Sequence, residues 1–352
     1  MTSDDPKART ATIFDVARLA GVSHQTVSRV LNDQPNVREA TRDRVQEAIR
    51  QLRYRPSTAA RALVTRRSRT IGLITTGPPD YGPSSTTLGF NEAARAARYN
   101  VSISSMLTAT TDSMRASIEL LLDAHVEAIV LIAAQRGALE ALRGIELGVP
   151  LVAVESSGRG GLSVSIDQYA GARLATEHLI ALGHRDIEHL AGPSDSMDAT
   201  ERLRGWRDVL AEHGLVAPPP LVGDWSPASG YAFGRALAGR RRFTAVFSAN
   251  DQMALGAIHA LTGADLLVPR DVSIIGFDDI PEAEHFAPPL TTVRQDFAQL
   301  GHDVMATLLD VLNDTDVRPP HRSPELVLRE STRAHTASGH PEPLASAASA
   351  DS

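Results

Sequence analysis

The stretch TIFDVARLAGVSHQTVSRVLN, residues 12–32, predicts two short helices that are joined by a tight turn. Thr12 is a suitable N-cap for the first helix, Gly21 supplies the turn, and Ser23 is a suitable N-cap for the second helix. The apolar residues of the first helix recur at helical spacing along one stripe, which consists of Val16, Ala17, Leu19 and Ala20. We therefore expect two helices that pack against a common core.

The second helix carries polar side chains on the face opposite its apolar residues, which are Val27, Val30 and Leu31. The outward side chains near its N-terminal end are all of types that can form hydrogen bonds; they are His24, Gln25, Thr26, Ser28 and Arg29. In the major groove, glutamine pairs with adenine and arginine with guanine, whereas serine, threonine and the following Asn32 suit phosphate contacts. These residue types predict a helix that reads DNA, although any small helical bundle also places polar residues outside.

A third helix is predicted from Asn36, with Glu39 three residues later as its capping-box partner. The apolar residues of its inner face are Val45, Ile49 and Leu52. Three short helices around a glycine turn predict a helix-turn-helix domain over residues 11–55, after a disordered N-terminus over residues 1–10.

The charges divide the chain into two parts. Residues 1–69 hold 14 basic and seven acidic side chains, for a net charge of +7, and the remainder holds 21 basic and 35 acidic side chains, for a net charge of −14. This distribution is expected of a protein that binds phosphates with one end while its body stays off the DNA. A basic surface that is merely solvated is the alternative.

Several classes of enzyme and metalloprotein are excluded by composition and motif. The chain has no cysteine and a single lysine, Lys7, which excludes thiolate zinc sites, a P-loop and an internal Schiff base. The metalloprotease, nucleophile-elbow and dinucleotide motifs are absent, and the histidines lack metal-ligand spacing. Asp278 and Asp279 are neighbours that point apart, unlike the facing carboxylates of a hydrolase. We predict no catalysis, no cofactor and no metal.

No segment of the sequence resembles a membrane span or a secretory signal. No run approaches twenty apolar residues, and the N-terminal MTSDDPKART is polar. We therefore expect a cytoplasmic protein without membrane contact.

Residues 70–333 alternate strand-like and helical stretches, which predicts an α/β body of two doubly wound parallel sheets. The strand-like runs are TIGLITT, VSISS, AIVLIA, DIEHLAG, TAVFSAN and VSIIGFD, and the helical stretches include 86–99, 113–124, 168–182 and 250–262. Ligands of such sheets bind beyond the carboxyl ends of the strands, where Asn250, Asp251 and Asp278 lie.

Long motifs across almost the whole chain resemble the LacI/GalR family. The N-terminal stretch continues as VREATRDRVQEAIRQLRYRPSTAARALVTRRS, and later motifs are LIALGHRDIEHLAGP, GDWSPASG, ANDQMALGAI, VSIIGFDDI and PPLTTVRQDFAQLG. They are more similar to the lactose-sensing branch of the family than to its purine-sensing branch. The resemblance implies an all-α helix-turn-helix head and a body like the periplasmic binding proteins, with lobes of about 70–164 plus 293–322 and 165–290 plus 323–333.

For the head, the resemblance implies that His24, Gln25 and Arg29 read bases. The positions that contact phosphates are Thr12, Ser23, Thr26, Ser28, Asn32 and Thr41. Residues 56–69 correspond to a hinge helix that orders on the operator and inserts Leu63 into the minor groove, with Ser57 and Ala60 also at DNA-contacting positions. A basic linker with an exposed leucine is the alternative. His24 replaces the tyrosine of a studied family member, so we expect a different operator preference.

For the body, the resemblance implies an effector site with groups that bond hydroxyls and an aromatic ring for a sugar's C–H face. The implied contacts are Glu155, Arg202, Trp225, Asn250, Asp278, Gln295 and Phe297. Ordinary structural roles are the alternatives: core for Trp225, an N-cap for Asp278 and an exposed ion pair for Arg202. Ile132 and Asp80 depart from the family, where an asparagine and an apolar residue stand, which leaves the sugar open.

These observations predict a repressor of sugar-utilisation genes that binds a palindromic operator as a homodimer and is released by a galactoside-like or glucoside-like sugar. An activator or co-repressor-dependent regulator that senses a nucleobase is the main alternative. A secreted sugar-binding protein would share the body but not the head. The tail, residues 334–352, is predicted to be disordered and lacks the heptads of a tetramerising coiled coil.

Overall fold

The computed structural model describes residues 11–31, 34–54, 67–133, 135–156, 161–240 and 243–335. The chain divides into two compact units, Met1–Arg69 and Thr70–Ser352, which we call the head and the body. Some of the sequence-based expectations lie outside the described residues: those for residues 1–10, Asn32, Ser57, Ala60, Leu63 and the tail beyond residue 335.

The head consists of three helices, α1 (Ile13–Ala20), α2 (His24–Leu31) and α3 (Glu39–Gln51). The predicted cap of α1 is confirmed, because Thr12 Oγ1 accepts from the Asp15 backbone at 3.3 Å and the Asp15 carboxylate accepts from the Thr12 backbone at 2.9 Å. Gly21 ends α1 with φ of 66°, a conformation that glycine adopts without steric cost. Ser23 Oγ accepts from the Thr26 backbone at 3.2 Å and caps α2.

The core of the head is built from one face of each helix, with Val16, Val27 and Val45 fully buried. Two expectations were wrong. Leu19 is 50% exposed, because the buried face of α1 runs through Val16, Ala17 and Ala20 instead. Helix α3 begins at Glu39 rather than near Asn36 and has no side-chain cap, because Pro35 and Asn36 form a turn that delays helical geometry.

The first lobe of the body is a six-stranded sheet that is parallel throughout, with helices on both faces. Its strands, in spatial order, are β11 (His321–Arg322), β5 (Ser163–Ile166), β4 (Leu151–Val154), β3 (Ala128–Ile132), β1 (Thr70–Thr76) and β2 (Asn100–Met106). Its helices are α4 (Tyr81–Ala96), α5 (Thr111–Asp123), α6 (Arg136–Leu142) and α11 (Phe297–Leu312). Buried residues of α4 and α11 share one core cluster on one side of this sheet.

The second lobe contains a four-stranded parallel sheet. Its strands, in spatial order, are β7 (Leu221–Val222), β6 (Ile187–Ala191), β8 (Ala245–Ser248) and β9 (Ser273–Ile275). Its helices are α7 (Gln168–Ala181), α8 (Met197–Glu212), α9 (Pro227–Ala238) and α10 (Asp251–Thr262), followed by a 3-10 turn at Pro281–His285. The predicted pair of doubly wound parallel sheets is confirmed. Among the described residues, every helix is too short or too polar to cross a bilayer.

The chain crosses between the lobes after β5, before α11 and after β11. An antiparallel pair that was not expected, β10 (Thr292–Arg294) with β12 (Glu325–Val327), lies beside the second sheet, because bridges join Ile275 to Thr291 and Asp278 to Arg294. Residues 293 and 294 therefore belong to the second lobe rather than the first. The described body also extends to His335, whose backbone donates to Leu182 O at 2.7 Å.

Helices α9 and α10 pack with their backbones in direct contact. A Cβ atom built on Gly256 of α10 would lie 1.9 Å from Pro227 O and 2.6 Å from Tyr231 N. Both atoms belong to the backbone of the neighbouring helix, so no side-chain rotation relieves the clash. Only glycine at position 256 permits this helix spacing.

We expect Gly256→Ala to lower the free energy of unfolding by about 1–3 kcal/mol, because α9 and α10 must separate. Gly137→Ala on α6 is the matched control, since a Cβ there meets nothing within 4 Å. Alanine is the better helix former, so this control should be neutral or stabilising by up to about 1 kcal/mol. Urea unfolding of the full chain measures both variants, and equal midpoints would contradict this packing.

Candidate functional site

The outer face of α2 presents the side chains that the sequence assigned to base reading. His24, Gln25 and Arg29 are exposed, while Thr26 and Ser28 are half-buried. The His24 ring packs at 5.2 Å from the ring of Phe14, which holds it at the N-terminal end of the helix. This face leaves both the Gln25 amide and the Arg29 guanidinium accessible to a nucleic acid.

The side chains assigned to phosphates differ in their availability. Thr12 Oγ1 donates to Asp15 Oδ2 at 2.7 Å, so its proton already serves the capping box of α1. The Ser23 and Thr26 hydroxyls lie 3.0 Å apart and bond to each other. Thr41 is half-buried in the first turns of α3. Phosphate contact by Thr12 therefore requires its capping hydrogen bond to be exchanged.

The body contains a cavity of about 460 Å³ that is lined from both lobes, near the carboxyl ends of their strands. Six of the seven predicted effector contacts line it: Glu155, Arg202, Trp225, Asn250, Asp278 and Phe297. Ile132 and Asp80, the two departures from the family, line it as well. Gln295 does not line the cavity but lies behind Asp278, where its Nε2 donates to Asp278 Oδ1 at 2.6 Å.

One wall of the cavity is aromatic and depends on a glycine. The Trp225 indole occupies the space of a side chain at position 192, because a Cβ on Gly192 would lie 2.1 Å from the ring. Trp225 has a φ of 71°, and the Asn250 amide donates to its carbonyl at 3.0 Å. The ring of Trp225 therefore has little freedom to rotate out of the cavity. In the first lobe, Phe297 meets Tyr81 edge to face with ring centroids 5.7 Å apart.

Four buried polar side chains at the cavity wall form a ring of three hydrogen bonds and one ion pair, which we call the polar ring; its members are Arg202, Gln168, Gln295 and Asp278. Arg202 Nε donates to Gln168 Oε1 at 2.9 Å, and Gln168 Nε2 donates to Gln295 Oε1 at 2.7 Å. Gln295 Nε2 donates to Asp278 Oδ1, and Arg202 Nη2 closes the ring at 3.5 Å from that oxygen. Because all four are buried, each fixes the orientation of its neighbours.

Gln168 was not identified from the sequence. It is the first residue of α7, immediately after the first crossing between the lobes, and Gln295 lies at the second crossing. The sequence signal for Gln168 was its position directly after a strand, which is the same signal that identified Asn250. The resemblance did not mark it, and nothing local shows that two crossings meet.

Asp278 is held in an environment that opposes its charge. Burial raises its pKa to about 6, although Arg202 and the hydrogen bond from Gln295 act in the opposite direction. Behind it, Asp251 is fully buried and accepts from Thr292 Oγ1 at 2.6 Å. Burial and the neighbouring Asp278 raise the pKa of Asp251 well above its usual value. Asp278 therefore protonates at a higher pH than an ordinary aspartate does.

Two alternative roles are settled by these contacts. Asn250, not Asp278, is an N-cap, since its Oδ1 accepts from Met253 N at 2.9 Å at the start of α10. Asp279 turns away from the cavity and accepts from Arg294 at 2.6 Å and Arg329 at 2.7 Å. The adjacent carboxylates do not face each other across the cavity, as a hydrolase pair would. Within the described ranges, no cluster of three or more His, Asp or Glu side chains is arranged to hold a metal ion.

Comparison with known proteins identifies the family. The chain matches "Bacterial regulatory proteins, lacI family" over residues 12–57 and "Periplasmic binding protein-like domain" over residues 176–332. It is 34% identical to the lactose operon repressor of Escherichia coli (strain K12), over 95% of this chain and 94% of that protein. The chain belongs to the LacI family. This LacI-family chain is a DNA-binding transcriptional regulator, and its relatives are regulators rather than enzymes.

Solved structures agree with this assignment. A lac repressor dimer bound to operator and the anti-inducer ONPF matches with a TM-score of 0.85 at 32% identity, over 93% of this chain and 100% of that one. The regulator CelR of Thermobifida fusca is 34% identical, over 92% of this chain and 99% of that protein, and a CelR–cellobiose complex matches with a TM-score of 0.67 at 32% identity, over 91% of this chain and 99% of that one. The repressor PurR of Haemophilus influenzae (strain PittEE) is also 34% identical, over 92% of this LacI-family chain and 99% of that protein. Overall identity therefore does not separate the branches of the family.

We expect Gln168→Leu to destabilise the LacI-family chain by about 1–3 kcal/mol, because Arg202 Nε and Gln295 Oε1 both lose their partner in a buried site. Gln299→Leu is the control, since this half-buried glutamine of α11 makes one hydrogen bond of 3.1 Å to Asp303 and should cost less than about 1 kcal/mol. Urea unfolding distinguishes the two. A Gln168→Leu protein as stable as the parent would mean that the polar ring contributes nothing.

Proposed function

We propose that the protein is a repressor of sugar-utilisation genes, which binds a palindromic operator as a homodimer and releases it when a galactoside-like or glucoside-like sugar fills the cavity. The observation that carries the proposal is the cavity lined from both lobes, with an indole on one wall and the Arg202–Asp278 pair beside it. Aromatic rings bind the C–H face of a sugar, and carboxylates and amides bind its hydroxyls.

The size and polarity of the cavity support a sugar ligand. A volume of about 460 Å³ lies within the range of small-molecule sites, about 300–1,000 Å³. Arg202 is held by the polar ring and by the Ala249 carbonyl, and its guanidinium lies 3.9 Å from the Phe277 ring centroid. A ligand therefore meets donors and acceptors that are already oriented, which reduces the entropy lost on binding. The solved complex of the relative CelR contains cellobiose.

A second candidate is a regulator that senses a nucleobase, either as an activator or with a co-repressor. The chain is 34% identical to PurR and 34% identical to the lactose operon repressor, and this equality favours the second candidate. The carboxylates at the cavity and the half-buried Asp80 favour ligands that are rich in hydroxyl donors instead. The same binding experiment separates the two candidates.

The DNA contacts proposed for the head are base readings by His24, Gln25 and Arg29 from the outer face of α2. The proposed phosphate contacts are Thr12, Ser23, Thr26, Ser28 and Thr41. One helix-turn-helix contacts too few base pairs for useful specificity, so two half-sites related by a dimer axis are needed. Binding of the sugar and binding of the operator are coupled only if the sugar binds the free and the operator-bound protein with different affinities. A coupling free energy of about 1–3 kcal/mol is typical.

The direct test measures binding of the protein to a palindrome upstream of its own gene. The measurement is repeated with lactose, cellobiose, galactose, glucose, hypoxanthine and guanine. We expect one sugar to release the DNA and, by reciprocity, saturating operator to weaken binding of that sugar by the same factor. Release by a nucleobase alone, or tighter DNA binding with a nucleobase, would overturn the sugar proposal in favour of the second candidate.

We expect Arg29→Ala to weaken binding to the cognate operator by about 1–3 kcal/mol while affecting random DNA far less, because a guanine contact carries sequence information. Arg18→Ala is the control, since this arginine lies on α1 with its side chain 80% exposed. Arg18→Ala should change binding to the cognate operator and to random DNA by the same factor. Fluorescence anisotropy at fixed salt measures both, and an equal loss on both DNAs for Arg29→Ala would reduce it to a phosphate contact.

A further inference from the structure

Asp80 stands at the N-cap position of α4 but does not cap the helix. N-cap carboxylates accept from the backbone N–H of the second or third helical residue. The third residue of α4 is Pro83, which has no N–H, and no bond forms to the second residue, Gly82. The Asp80 carboxylate lines the cavity instead.

Within the described residues, nothing donates a hydrogen bond to the Asp80 carboxylate and no cation pairs with it. Among the lining residues that the structure describes, Arg202 is the one arginine, and it is bound to Gln168, Ala249 O and Asp278. A half-buried carboxylate without a partner is costly, because its lost hydration is not replaced. Asp80 therefore has acceptor capacity that a ligand can satisfy.

A second carboxylate, Asp224, lines the same cavity from the other lobe. Its Oδ1 accepts from Ser226 N at 3.0 Å and from Ser226 Oγ at 2.5 Å, and these bonds lower the pKa of Asp224. Burial raises the pKa of Asp80, and the negative charge of Asp224 raises it further. The two lobes thus bring like charges into mutual influence across the cavity.

The charge of the lining as a whole has the same sign. The carboxylates that line the cavity are Asp80, Glu155, Asp198, Asp224 and Asp278, and Arg202 is the single described cation among the lining residues. Such a field repels phosphate and carboxylate groups on a ligand, whereas hydroxyl groups donate to it.

We propose that Asp80 is a specificity residue that, together with Asp224, selects uncharged sugars whose hydroxyl donates to it and excludes phosphorylated sugars from the cavity. This inference rests on the proposed function, that the cavity binds a sugar. It adds a residue at which this chain departs from its family, since the resemblance placed an apolar contact at position 80.

The test is isothermal titration of the full-length protein with lactose, cellobiose and the 6-phosphate of each. Asp80→Asn is nearly isosteric, and the double variant Asp80→Asn/Asp224→Asn removes both charges. Asp112→Asn, an exposed substitution in the first turn of α5 outside the cavity, is the control. Thermal unfolding of each variant verifies that it is folded.

We expect the parent to bind its preferred uncharged sugar at least about 10-fold more tightly than the matching phosphate. Asp80→Asn should weaken binding of the uncharged sugar about 10-fold, because a charge-assisted hydrogen bond is lost. The double variant should reduce the preference for the uncharged sugar to below about 3-fold, while Asp112→Asn leaves it unchanged.

Equal or tighter binding of a phosphorylated sugar by the parent would overturn the role of Asp80 and leave sugar sensing intact. An unchanged preference in the folded double variant would do the same. Failure of every sugar, charged or uncharged, to bind the parent would instead refute the proposed function itself, and this inference with it.

Discussion

The polar ring of Arg202, Gln168, Gln295 and Asp278 is the constraint on which the cavity depends. Burial of a guanidinium and a carboxylate is unfavourable unless their remaining hydrogen bonds are satisfied, and here the two glutamine amides supply them. Since Gln168 and Gln295 lie at two different crossings between the lobes, the same bonds that orient the cavity side chains also join those crossings. Binding chemistry and lobe geometry are therefore parts of one buried network.

The polar ring connects the cavity wall with the crossings between the lobes. Asp278 and Arg202 line the cavity, and both belong to the ring whose two glutamines lie at the crossings. Asp278 has a φ of 111°, which is uncommon for a residue with a side chain, and persists because the surrounding contacts hold it.

Local sequence signals predicted much of the fold, whereas most of the effector contacts were predicted by resemblance to the family. The caps by Thr12 and Ser23, the glycine turn and the strand–helix alternation follow from chemistry within a few residues, and each is observed. What sequence reasoning missed depends on distant residues. Gln168 acquires its role only when two crossings meet, and the exposure of Leu19 reflects which face of α1 meets the other helices. The sequence marked Asp80 only as a departure from the family. The structure shows that its carboxylate does not cap α4, whose third residue, Pro83, has no N–H to donate.

The close fit of Trp225 over Gly192 has an optical consequence. The chain contains two tryptophans, and the other, Trp206, is fully buried between α8 and the second sheet, away from the cavity lining. Trp225 is a chromophore placed on the cavity wall, with a guanidinium 5.5 Å from its ring. A molecule in the cavity would contact the surroundings of Trp225 only, because Trp206 lies outside the lining. The protein thus carries an intrinsic emission signal for occupancy of its cavity, and no label has to be attached.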